Sequence, residues 1–345
     1  MQHPASSHAG RAPIARRGLV LAGAAAAGAA VGAPNRAARA QGAPAAPGAY
    51  PSRPVRIIVP FPPGGSNDVI ARPLAERLQV RLGQPVVIDN RGGAGGSIGA
   101  TAVAQSPGDG YTLMVTSSTF ATTSVVQRTT YDLERDFVPV ALLARSPFFI
   151  LAAPDFPANS VADLIRLARE RPGEIDYGSS GPGSVGQFVT ELFAQRAGIR
   201  MQHVPYRGMA AAVTDLIAGH IQILITTLAS AAGPVRDGKL KLLAYTAPGA
   251  PPGSPPGPTV REATGLDYEV EIWWGMFAPR GLPPELLRTL NTAVNAVLAE
   301  PDFARLIQGE GAVPSPAPPE AFAATVAADV ARWREVARVA NIRLD

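Results

Sequence analysis

The chain has 345 residues, 46% of them hydrophobic and 17% charged, enough apolar material for one large domain or two. It has no cysteine, which removes disulfides, thiol nucleophiles and cysteine-held metals; its four histidines include two, His3 and His8, in a leader-like segment, so a histidine zinc site is not expected. The formal charge of +4 comes from residues 1–40, which hold five arginines and no acid; the remainder carries 26 basic and 27 acidic residues, a net of −1, so no nucleic-acid partner is expected.

Residues 1–40 have the three parts of an export signal peptide: Arg16-Arg17, the apolar run Gly18 to Val31, and Ala38-Arg39-Ala40 as a cleavage site. The apolar run is too short to span a bilayer as a helix. The paired arginines fit a twin-arginine signal, although Ala15 and Leu19 stand where Ser/Thr and Phe are usual. An ordinary secretory signal is the alternative, and either route leads to the periplasm. Residues 41–50 read as a linker.

Beyond the linker, short apolar runs alternate with helical patterns. Strands are expected at Val55–Val59, Pro85–Ile88, Tyr111–Val115, Phe148–Ala152, Ile175–Tyr177, Met201–Val204, Ile221–Ile225 and Leu240–Tyr245. Helices are expected at Val69–Leu82, Gly99–Gln105, Val161–Glu170, Val185–Ala197 and Ala210–Ala218, with two more, Pro284–Ala299 and Pro319–Val339, closing the chain. The alternation argues for an α/β protein with parallel sheets covered by helices. Residues Ala247–Pro258 hold six prolines and three glycines and read as a surface loop. Trp273-Trp274 reads as core or hinge packing rather than a stacking platform.

The stretch Val59-Pro60-Phe61-Pro62-Pro63-Gly64-Gly65-Ser66-Asn67-Asp68 joins a strand to a helix through a Pro-Gly turn. Such a junction leaves backbone N–H groups free at the positive end of the helix dipole and favours an anion. It contains no evident nucleophile or acid/base pair, so binding is expected rather than catalysis. Asp68 is placed either to cap the helix or to touch a ligand. Thr116-Ser117-Ser118-Thr119 follows a strand at the end where α/β sheets bind ligands.

Two patterns resemble enzyme motifs. Gly95-Gly96-Ser97-Ile98-Gly99 fits G-x-S-x-G, but Asn90 to Ala94 separates it from the preceding strand, and neither His203 nor His220 has a supporting signature. A serine hydrolase using Ser97 is therefore a minor alternative. Gly181-Pro182-Gly183-Ser184-Val185-Gly186 fits G-x-G-x-x-G, but the next strand ends in Pro205-Tyr206 with no acid to hold a ribose. It reads better as a second helix N-terminus, with Ser179, Ser180 and Ser184 as hydroxyl donors.

Together these segments resemble the Bug family, the extracytoplasmic solute-binding receptors of tripartite tricarboxylate transporters. The similarity runs from about Tyr50 to Ile342. It includes the Pro60–Asp68 loop, Asn90-Arg91-Gly92-Gly93-Ala94-Gly95-Gly96, Pro107-Gly108-Asp109-Gly110-Tyr111, Val204-Pro205-Tyr206-Arg207-Gly208 and Phe277-Ala278-Pro279. The resemblance implies a type II periplasmic-binding-protein fold, two α/β domains with a ligand cleft between them: residues 51–145 plus 270–345, and residues 146–269.

It further implies a small organic carboxylate ligand, no cofactor and no metal, membrane transporter components as partners, and a monomer. Carried over by position, the ligand contacts would be Phe61, Pro63, Gly64, Gly65, Ser66, Asn67 and Asp68, then Ser117, Ser118 and Thr119. From the second domain they would be Ser179, Ser180, Gly181, Ser184, Gln187 and Tyr206, with Thr226 and Thr227. Thr226 stands where many relatives have an acid, which argues against a cationic or amino-acid ligand. Ser66-Asn67 replaces a common Gly-Thr, and Arg207 replaces a common Lys. Hinges are expected near Leu143–Phe149 and Trp273–Phe277. A receptor that signals to a sensor protein is the other alternative.

Overall fold

Apolar runs and helical repeats fold into two mixed sheets in the computed structural model, which describes residues 50–251, 253–309 and 311–343. The expected signal peptide and nearly all of the 41–50 linker lie outside the described residues. The first sheet begins with β1 (Val55–Val59), flanked in parallel by β2 (Val86–Asn90) and β3 (Thr112–Ser117). These strands alternate with α1 (Ser66–Leu82), α2 (Ser97–Ala104) and α3 (Thr119–Val126). A short helix, α4 (Leu133–Asp136), then leads into β4 (Phe137–Pro147).

The chain next enters a second sheet through β5 (Phe149–Ala152). There follow α5 (Val161–Glu170), β6 (Asp176–Ser179), α6 (Val185–Ala197), β7 (Gln202–Pro205), α7 (Met209–Ile217), β8 (Ile223–Thr226), α8 (Leu228–Arg236) and β9 (Lys241–Tyr245). The order in this sheet is β7-β6-β8-β5-β9, with β5 antiparallel to both neighbours. After α9 (Val260–Thr264) the chain returns through β10 (Glu271–Pro279). It ends with α10 (Pro284–Leu298), α11 (Pro301–Gly309), β11 (Val313–Pro314) and α12 (Pro319–Ala340). The first sheet runs β11-β4-β10-β3-β1-β2, with β10 antiparallel to β3 and β4.

The helical periodicities have visible causes. In α5, Val161, Leu164, Ile165 and Ala168 are buried at helical spacing, and Ser160 caps the start by accepting from Asp163 N at 3.1 Å. In α12, Phe322, Val326, Val330 and Trp333 are all buried. Trp333 meets Phe188 of α6 edge-on, ring centroids 5.8 Å apart, so the C-terminal helix touches helices from both sheets.

Two expectations need correction. The sheets are mixed rather than purely parallel: β10, not anticipated from the sequence, runs antiparallel to β3 and to the equally unanticipated β4 in the first, and β5 runs antiparallel to β8 and β9 in the second. Trp273–Phe277, expected near a hinge, lies inside β10, bonded to strands on both sides. A Cβ at Gly275 would overlap the Phe322 ring, so this glycine is what lets α12 pack on β10. The chain crosses between sheets at Phe148 and again at Val270. Thr246 stitches the two crossings together: Phe148 N donates to its Oγ1 at 2.8 Å, and Oγ1 donates to Val270 O at 2.6 Å.

Candidate functional site

The Pro-Gly turn after β1 is shaped from behind. Gly64 has φ +81°, a left-handed conformation that glycine adopts without strain. Its N–H donates to Asp68 Oδ2 at 2.9 Å, and Arg72 Nε donates to the same oxygen at 2.8 Å. Asn90 Nδ2 donates to Asp68 Oδ1 at 2.9 Å and to Phe61 O at 3.2 Å. Burial alone would raise the Asp68 carboxyl, but the hydrogen bonds from Arg72, Gly64 and Asn90 outweigh it and hold the group below its ordinary range. Asp68 is thus a brace behind the loop and does not line the cavity in front of it.

That bracing leaves Gly65, Ser66 and Asn67 at the start of α1 with N–H groups that find no acceptor among the described residues. The Ser66 hydroxyl accepts from Trp274 Nε1 at 3.4 Å, so its own proton is free to donate. Trp274 therefore supports the loop as well as the core. Asn67 is only 4% exposed, lines the cavity, and its Oδ1 has no hydrogen-bond partner.

The same construction recurs around one cavity of about 490 Å³. Residues 61–67, Ser117 and Thr119 line it from the first sheet, at the starts of α1 and α3. Ser180, Val185 and Gly186 come from the start of α6, Arg207 to Ala210 from the start of α7, and Thr226, Thr227 and Ser230 from the start of α8. Phe148, Ile225 and Ile272 form the apolar floor where the sheets meet. Each helix follows the C-terminal end of a strand, the usual binding edge of such sheets. Five helix N-termini thus open onto a lining that, among the described residues, holds one cation, Arg207, and no acid. This arrangement favours negative charge. A larger groove of about 590 Å³ lies along α5 and α9, but Arg166 there is already paired with Glu170 at 3.0 Å.

Of the positions singled out in the sequence, Phe61, Pro63, Gly64, Gly65, Ser66, Asn67, Ser117, Thr119, Ser180, Thr226 and Thr227 meet at this cavity. Others serve the turns around it. Gln187 Oε1 accepts from Gly183 N at 2.8 Å, and Tyr206 OH donates to Asp215 Oδ2 at 2.8 Å. Ser179 Oγ accepts from Gly181 N at 3.1 Å. Ser118 and Ser184 are not among the lining residues and keep buried hydroxyls without a partner among the described residues. Arg207, Gly208, Met209 and Ala210 were not anticipated as lining residues, because an apolar helix start carries no polar signature. Arg207 was visible as a retained charge.

The enzyme-like patterns have structural explanations. A Cβ at Gly99 would stand 2.7 Å from Pro60 Cβ, and one at Gly92 would stand 3.1 Å from Pro62 Cδ, so the glycine run permits close packing behind the first loop. Ser97 Oγ donates to Ala94 O at 2.9 Å. His203 is engaged elsewhere, 2.6 Å from Ser179 Oγ and stacked on Tyr177. Among the described residues no cluster of His, Asp or Glu is arranged to hold a metal ion.

Burial pushes the His203 imidazole down to about 4. Between the ordinary value of 6.5 and 4, the unfolded chain takes up a proton that the native chain refuses. This contribution is therefore complete above pH 6.5 and is lost as the pH falls toward 4. Glu191 is pushed up by burial, against the hydrogen bond it accepts from Tyr177, and acts in the opposite sense. Thermal melts of wild type and His203→Gln across pH 4–7 separate the two. The variant is expected to show a flatter profile below pH 6.5, and an unchanged slope would contradict this reading.

Residues 70–342 match the family described as "Tripartite tricarboxylate transporter family receptor". The chain belongs to this family. The receptor is 35% identical over 305 residues to Protein BugT of Bordetella pertussis (strain Tohama I), a match covering 88% of this chain and 94% of BugT. It is similar to the structure of "R. palustris Rpa4515 with adipate" at 38% identity and a TM-score of 0.77, over 85% of this chain and 99% of that one. It also resembles MatC from Rhodopseudomonas palustris with bound malate, at 32% identity and a TM-score of 0.73, over 83% and 99% of the two chains. The expected Bug-type kinship and two-sheet α/β receptor fold therefore hold. The family is one of solute-binding receptors acting outside the cytoplasm. Among the described residues no helix is long and apolar enough to cross a membrane.

Proposed function

We propose that this receptor is exported to the periplasm, captures a small organic carboxylate in the cleft by closing its two lobes, and presents it to the membrane components of a tripartite tricarboxylate-type transporter. The observation that carries the reading is the convergence of five helix N-termini on one cavity that has no acid among its described lining residues. The adipate in Rpa4515 and the malate in MatC support the ligand class. We take the lobes as residues 51–145 with 270–345, and 146–269.

In this reading one carboxylate sits against the N–H groups of Gly65, Ser66 and Asn67, assisted by the Ser66 hydroxyl. Ser117 and Thr119 flank it, and the second lobe closes through Ser180, Thr226 and Thr227. Hydrogen bonds to a charged group contribute about 1.5–3 kcal/mol each, so three or four reach the roughly 8 kcal/mol of micromolar binding before ordering costs. Phe61 and Ile272 supply apolar contact. Binding rather than turnover fits the hydrogen bonds of Ser97 Oγ, which involve Ala94 O and Gln127 Nε2 and no histidine among the described residues.

Mass spectrometry of whatever leaves the folded protein on denaturation tests the assignment. An organic acid in near-stoichiometric amount is expected; an amine or a neutral sugar in its place would overturn it. Gly65→Leu provides the matching control. Gly65 has φ −78°, which any residue adopts, and a Cβ there would meet only Pro62 O, at 3.6 Å. The fold should lose about 1 kcal/mol at this helix cap, while the added side chain occupies the anion site and the co-purifying acid disappears.

A further inference from the structure

Among the described residues Arg207 is the single charged side chain lining the cleft, and it stands on a fixed turn. Tyr206 N donates to Ser179 O at 3.0 Å, and Tyr206 OH is tied to Asp215. Gly208 follows with φ +113°, in the region that favours glycine, and starts α7. The guanidinium is exposed and makes no ion pair or hydrogen bond with any described residue. Asp215, the acid of its own helix, is already engaged by Tyr206 and lies 3.4 Å from His220 Nδ1. The cleft therefore presents a planar, permanently charged fork on one lobe and a separate set of backbone donors at Gly65–Asn67 on the other.

We infer that Arg207 is a specificity-determining residue: it pairs with a second anionic group on the ligand and so selects acids charged at both ends over monocarboxylates. The inference rests on the carboxylate reading above. A guanidinium binds a carboxylate through two parallel N–H bonds, a geometry that a neutral ester or amide end does not reproduce. In the open cleft the charge of Arg207 is hydrated at little cost. Closure takes water away from it. Over a diacid that loss is repaid by the second carboxylate. Over a monocarboxylate it leaves a desolvated, unpaired charge, which penalises the closed state. Discrimination arises as much from this penalty as from the added attraction. Thr226, 2% exposed in the same lining, provides no acid that could neutralise Arg207 in place of the ligand.

Calorimetric titration of ligand-stripped protein with succinate, glutarate and adipate, each beside its monomethyl ester, tests this. The ester keeps the length and one carboxylate and removes only the second charge. Wild type is expected to prefer the best diacid over its ester by about 10- to 100-fold. Arg207→Gln should collapse that ratio to within about threefold, chiefly by weakening the diacid, and Arg207→Lys should restore part of it. Because Arg207 is exposed and unpaired, melting temperatures of the variants should match wild type. A wild type that binds ester and diacid alike, or a ratio that survives in Arg207→Gln, overturns the role of Arg207 and leaves the carboxylate reading intact. Failure of every acid and every ester to bind the folded wild type overturns both.

Discussion

Replacing Asp68 by alanine is expected to weaken ligand binding by about 10- to 100-fold and to destabilise the fold by about 2–3 kcal/mol. The Asp68 side chain is 5% exposed and accepts three hydrogen bonds, from Gly64 N, Arg72 Nε and Asn90 Nδ2. Arg72, half-exposed, turns to water when the carboxylate is gone. The Gly64 N–H and the Asn90 amide are partly buried and lose their acceptor, which is the costly part. The loop then relaxes, and the N–H groups of Gly65 to Asn67 no longer point together. Asn is no substitute, since its amide would set a donor against the donors already present. The carboxyl is held below its ordinary value of 3.8, so its contribution is complete above that pH and is lost as the pH falls through the depressed native value. Thermal melts with and without ligand check this: a fall of about 4–8 °C is expected without ligand and a smaller ligand-induced rise. A variant that binds normally would show that the loop holds its shape without the brace.

Thr246→Val is expected to cost about 3–4 kcal/mol while leaving the packing volume unchanged. Thr246 is 1% exposed, and its hydroxyl both accepts from Phe148 N and donates to Val270 O. Valine has the same shape, so no cavity opens; the loss is that of one buried N–H and one buried C=O left without partners. Both belong to the segments by which the chain passes between the sheets. The effect should therefore appear in the stability of the whole unit rather than of one sheet. Urea unfolding should show a lower midpoint with an unchanged slope, and Thr246→Ser, which keeps the hydroxyl, should recover most of it. A loss below about 1 kcal/mol would show that water or backbone movement satisfies the two groups.

Much of the architecture was legible in the sequence where local chemistry carried it. The expected β1, α5 and α6 match the structure residue for residue, because each combines a clear apolar pattern with a clean start and stop. The central antiparallel strands β4 and β10 were not legible. Both faces of β10 are buried, so no alternation marks it, and its tryptophans suggested a pivot. Helix α3 was not anticipated beyond its first residue, Thr119, and α8 carries Gly233-Pro234 inside it, a pair that signals a break rather than a helix. The first jaw of the site was legible because a Pro-Gly turn leaves few alternatives. The second was only half legible. Backbone N–H groups at the start of α7 are invisible in a list of side chains, and polar residues such as Gln187 and Tyr206 turned out to hold turns in shape.

The central claim is that backbone donors at converging helix starts make this cleft a carboxylate site. Its most direct test is calorimetric titration of ligand-stripped protein with a panel of aliphatic, hydroxy and aromatic acids, each beside the corresponding amide. The account predicts one-to-one binding of at least one acid with a dissociation constant of about 1 μM or tighter, and no measurable heat from its amide. Silence from every acid, or an amide that binds as tightly as its acid, would contradict it.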